Sequence, residues 1–104
     1  MVTARRARAE ERELHAAVRE ADHALALARA DDRGWERTVL ESAARDAFAE
    51  RSPAAVRELL LVKVVDRPGT EEDQALFRVI TDAGSEDLLL ARRGEAWAAA
   101  EPRS

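Results

Sequence analysis

The sequence predicts an α+β fold: an N-terminal antiparallel helical hairpin packed on a small antiparallel β-meander. Three observations predict it. Residues 4–30 contain neither Gly nor Pro and are dominated by Ala, Arg, Glu and Leu, all strong helix formers. Most of the bulky apolar residues fall instead between Val56 and Trp97, in short runs rich in Val and Leu. Turn chemistry separates those runs at roughly even spacing: Asp66-Arg67-Pro68-Gly69, Asp82-Ala83-Gly84-Ser85 and Arg93-Gly94-Glu95. An all-α bundle of four to five helices is the alternative. Thr70-Glu71-Glu72-Asp73 and Ser85-Glu86-Asp87 have the form of helix caps with acidic first turns, and Leu76, Val79, Ile80 and Ala83 have helical spacing.

The first helix is expected over residues 4–30, fraying through its Arg-rich first eight residues. Leu14, Val18, Ala21, Leu25 and Ala28 follow a 4-3-4-3 spacing, which places them in one narrow stripe. That stripe suits packing on the chain's own domain, and it is also the seam spacing of a coiled coil. Asp31-Asp32-Arg33-Gly34 breaks the helix, and a second helix is expected over 35–50, with Val39, Leu40, Ala43, Ala44, Ala47 and Phe48 on one broad face. The short connection implies an antiparallel pair, with Trp35 plugging its end.

Ser52-Pro53 reads as a helix start, so a short helix is expected over about 53–59. Strands are expected over 58–66, 75–82 and 87–92, with a fourth over 95–100. Phe77, Val79 and Thr81 alternate with Leu76, Arg78 and Ile80, as a strand requires. Strand 58–66 is apolar on both faces, which predicts a central, covered position. The tail Glu101-Pro102-Arg103-Ser104 is expected to be disordered.

A chain of 104 residues makes one small domain. Its 46% apolar content overstates the core, because 23 of those residues are Ala. Small domains bury a smaller share of their surface, so self-association or a partner would supply burial that this chain lacks. Only one of the 17 basic residues, Lys63, is lysine. With the richness in Ala, this is the composition expected of a GC-rich bacterial genome. The net charge of −4 gives no bias toward nucleic acid or anionic lipid. The N-terminal Arg5, Arg6 and Arg8 are the only local basic cluster. No apolar run approaches the roughly 20 residues of a membrane span, and no signal-peptide core opens the chain. The expected setting is the cytoplasm.

The absence of Cys excludes thiolate nucleophiles and Cys-ligated metals. None of the four serines lies in a nucleophile elbow, and no phosphate-cradling Gly-rich loop occurs. His15 lies on the flank of the first helix's stripe near Glu11, and His23 on its solvated face. Glu20-Ala21-Asp22-His23 matches half of a di-metal bundle motif, but no second copy follows. Glu71, Glu72 and Asp73 read as a solvated turn or helix start. No catalytic residue, metal or cofactor is therefore expected. The expected role is non-catalytic protein–protein contact, as a homo-oligomer or accessory subunit, with Leu14, Val18, Ala21, Leu25 and Ala28 as the interface.

Two N-terminal helices, then a meander ending in Leu88-Leu89-Leu90-Ala91-Arg92-Arg93-Gly94-Glu95-Ala96-Trp97, resemble the second half of small cone-shaped α+β domains of the nuclear-transport-factor-2-like type. The resemblance covers about residues 35–100. This chain is shorter than such domains usually are and carries no matching acid–base pair. The alternative function is accordingly a small-molecule-binding or enzymatic domain. Its cavity would lie between helices and curved sheet, lined by Trp35, Phe48, Phe77 and Trp97, with Arg78, Arg92 and His15 as polar groups.

Overall fold

A computed structural model describes residues 2–66 and 73–100. Two helices, α1 (Val2–Asp31) and α2 (Arg37–Arg51), are joined by a 3-10 turn at Arg33–Trp35. Four strands follow: β1 (Glu58–Val65), β2 (Gln74–Thr81), β3 (Gly84–Arg93) and β4 (Ala96–Ala99). They form one antiparallel sheet in the order β1-β2-β3-β4. The helical hairpin and meander are thus both present, and the all-α alternative is excluded.

The sequence explains each boundary. Helix α1 closes where the Asp32 amide still donates to the Ala28 carbonyl, after which the Asp32 side chain accepts the Gly34 amide and folds the chain into the 3-10 turn. Helix α2 ends at Ser52, whose amide bonds the Phe48 carbonyl while its backbone is extended (φ −152°, ψ 136°). Pro53 forces that extension, because its ring clashes with a helical residue before it. Ser52-Pro53 therefore stops a helix and starts none. The Ser52 hydroxyl accepts the Ala54 amide, and residues 53–57 run as an irregular link into β1. Helix α1 runs back to Val2, beyond the expected frayed start. The tail 101–104 and the turn residues 67–72 lie outside the described residues.

The core is one cluster on the inner face of the sheet. Ala21, Leu25 and Ala28 of α1 and Leu40, Ala44 and Phe48 of α2 meet Leu61, Ala75, Phe77, Val79, Leu88, Leu90 and Trp97, with Trp35 at the join. The period-2 alternation of β2 is explicit: Ala75, Phe77 and Val79 are buried, and Leu76, Arg78 and Ile80 are half-buried on the other face. Strand β1 corrects the expected arrangement. It is an edge strand, not a central one, and it carries a bulge between Leu61 and Lys63. The bulge resolves its two-faced apolarity: Leu59, Leu61 and Val64 pair with the inward residues Val79, Phe77 and Ala75, while Lys63 and Val65 pair with the outward Leu76 and Gln74.

Candidate functional site

Among the described residues, the interior holds one charged constellation, and it is built on Arg92. Inward parity at the end of β3 sends this side chain under the α1–α2 turn, where it is 5% exposed. Its Nε donates to the Gly94 carbonyl at 2.8 Å. Nη1 donates to Asp32 Oδ2 at 2.6 Å and Asp73 Oδ2 at 3.3 Å, and Nη2 to Asp32 Oδ1 at 3.1 Å. The Arg92 amide also bonds the Asp73 carbonyl. Asp32 thus receives the guanidinium in fork-to-fork fashion, the strongest geometry available to an Arg–carboxylate pair. The guanidinium stands 5.9 Å from the Trp97 ring, whose Nε1 donates to the Gly34 carbonyl at 2.9 Å. Trp35 packs 4.8 Å from Trp97, centroid to centroid.

Electrostatics follow from this geometry. The Arg92 hydrogen bond, then the Gly34 amide, hold the Asp32 carboxyl below the usual carboxylate range. The bond to Asp32 raises Arg92 further still. Asp66, at the end of β1, is pushed up, first by partial desolvation and then by the negative charge of Asp73, to which it hydrogen-bonds. Four of the five guanidinium N–H groups are engaged, so Arg92 acts as a clasp between the helical turn, the start of β2 and the end of β3. It does not present itself to a ligand.

The expected site residues divide accordingly. Trp35, Phe48, Phe77 and Trp97 do come together, but as packed members of the core cluster. Arg92 joins them from the side. Arg78 does not: β2–β3 pairing places it on the opposite sheet face, where it bonds Asp87 at 3.1 Å. Along α1, Ala21, Leu25 and Ala28 are buried in the chain's own core, whereas Leu14 and Val18 remain half-exposed. His15 and His23 are exposed. Among the described residues no group of three or more His, Asp or Glu is arranged to hold a metal ion, and no helix is long and apolar enough to cross a membrane.

Two residues of the clasp carry a signal that the sequence reading passed over. Asp73 shares the parity of Ala75, Phe77 and Val79, which points it inward, and it is 2% exposed. It is therefore no part of a solvated acidic turn. Gly34 is the second: a Cβ there would stand 2.1 Å from Arg92 Nη2, so its role is close approach as well as turning.

Two concavities are lined by described residues. One, about 590 Å³, runs between α2 and β4. The other, about 440 Å³, lies where Leu14 and Ala17 of α1 face Val62, Lys63, Leu76 and Arg78. No family model, curated protein or solved structure matches this chain.

Proposed function

We propose that this protein works without catalysis, by protein–protein contact, as a homo-oligomer or an accessory subunit, in a bacterial cytoplasm. The observation that carries this reading is the outer face of the sheet. The core cluster lies wholly on the inner face, while Leu60, Val65, Leu76, Ile80 and Leu89 point to the other side. Such a face, apolar across three strands, is the kind of surface that a partner covers. Leu14 stands at its β1 border and lines the same cleft as Leu76. The still-exposed part of the α1 stripe is therefore continuous with the sheet, and interface and core divide that stripe between them. Charges of both signs, Lys63, Arg78 and Asp87, sit on this face and suit pairing with a like surface.

Native mass spectrometry of the protein purified from its own host tests the reading. A mass of two or more chains, or of one chain with another protein, is expected. Leu76→Asp with Leu89→Asp should reduce that mass to a single chain while leaving the far-ultraviolet circular dichroism unchanged. A bare monomer at every concentration, or unaltered assembly of the double variant, would overturn it.

A further inference from the structure

A second surface, independent of the outer sheet face, is defined by the free edge of β4. The Ala100 amide donates to the Leu89 carbonyl, toward β3. In an antiparallel strand the N–H and C=O of alternate residues point to opposite sides. The polar backbone groups of Trp97 and Ala99 therefore point away from β3, and among the described residues no strand other than β3 pairs with β4. Among the described residues no hydrogen bond is made to them.

The two edges of the sheet are built differently. The β1 edge has a bulge and Lys63, the devices that blunt an edge against added strands. The β4 edge has Ala96, Ala98 and Ala99, small side chains that let another backbone approach. Beside it, α2 supplies a wall of Val39, Ala43 and Ala47, and Val39 is 42% exposed. The groove so formed contains three acids, Asp46, Glu50 and Glu95, and no Lys or Arg. The four residues of β4 offer about 13 Å of edge at about 3.3 Å per residue.

From this juxtaposition we infer that the α2–β4 groove binds an extended, basic segment of a partner protein, which adds to the sheet as a fifth strand. Main-chain bonds to Trp97 and Ala99 supply the attachment, and Arg or Lys at alternate positions meet Asp46, Glu50 and Glu95. Strand addition beside a helix is an established mode of peptide capture, with the backbone giving affinity and alternate side chains giving selectivity.

Phage-displayed random octapeptides, selected on the whole folded protein, test this. Recovered peptides should carry Arg or Lys at alternate positions. Their binding should fall at least tenfold in Asp46→Lys with Glu50→Lys. It should fall similarly in Ala99→Pro, which removes one outward N–H and leaves the bonds to β3 in place. The outer-face variant Leu76→Asp with Leu89→Asp should bind them normally, which separates this surface from the proposed assembly face. Should either groove variant misfold, amide hydrogen exchange of the unaltered protein gives a second reading: the Trp97 and Ala99 amides should slow when peptide is added. Recovery of peptides with no common basic pattern, equal binding to the groove variants, or unchanged exchange at both amides would overturn the inference.

Discussion

Arg92 is the residue on which the buried polar cluster depends. Its replacement by Leu removes the guanidinium that Asp32 and Asp73 share, and Asp73 is nearly inaccessible. Loss of one partner from a buried ion pair costs about 3–5 kcal/mol. Urea unfolding of Arg92→Leu should show a loss below that range, because Asp32 is partly exposed, with Gly34→Ala losing part of it because the added Cβ displaces the guanidinium. Asp66 predicts the opposite sign. Its carboxyl titrates above its ordinary 3.8 in the folded protein, so its stabilising contribution is full below that value. That contribution is lost as pH rises through the folded pKa. Asp66→Asn should therefore stabilise the protein at pH 7 and change little at pH 3, as thermal unfolding at the two pH values would show. Asp32 runs the other way: its contribution is present at neutral pH and is lost as pH falls through its lowered pKa. Only half of this constellation was legible beforehand. Arg92 was expected among the polar groups of an interior cavity, whereas Asp73 was hidden in a run of acids. Strand parity alone, counted back from Phe77, would have placed it inside.

Element by element, turns and parity were the legible features, and edges were not. Gly94 takes φ 64° as the first central residue of the β3–β4 turn, the position where such hairpins require glycine. Gly84, at φ 131°, instead follows the two central residues of the β2–β3 turn and pairs with Thr81. Both lie in the turn stretches singled out by composition. The edge position of β1 was not legible, because an eight-residue run apolar on both sides reads the same whether it is covered or bulged. The bulge makes a clear prediction. Leu61 pairs with Phe77 and Lys63 with Leu76, so deletion of Val62 restores regular pairing without turning any residue over. The deleted protein should keep its circular dichroism and lose about 1 kcal/mol or less on thermal unfolding, within the range of ordinary single changes. Complete loss of structure would mean that the bend itself is needed to seat α1. The missing helix at 53–59 has a local cause. Ser52-Pro53 is equally good chemistry for stopping α2, and α2 reaches it first.

At the scale of the molecule, the helical hairpin and meander followed from composition and punctuation, whereas the assignment of faces did not. Helical periodicity marks the stripe Leu14, Val18, Ala21, Leu25 and Ala28 as apolar but cannot say what covers it. The chain covers the last three, and the outward Leu60, Val65, Leu76, Ile80 and Leu89 of the sheet are left half-buried on the far side of the core. Surface ion pairs tie the layers together: Arg37 with Asp22 joins the helices, and Arg51 with Glu86 and the Asp87 carbonyl joins α2 to β3. Exposed pairs of this kind contribute about 0–1 kcal/mol each, so burial and the clasp hold the layers. That division has a consequence for how the chain is made. Positions 32 and 92 are 60 residues apart, and they meet only in the finished fold. The helices emerge from the ribosome first, with Ala21, Leu25, Ala28 and Phe48 facing a sheet that has not yet been synthesised. Within the first half of the chain, exposed pairs such as Arg37 with Asp22 join the helices, but the Arg92 clasp is still missing. A nascent chain halted short of Arg92 has its helical layer made and its lock not yet synthesised, and it is at that stage that it most needs a chaperone.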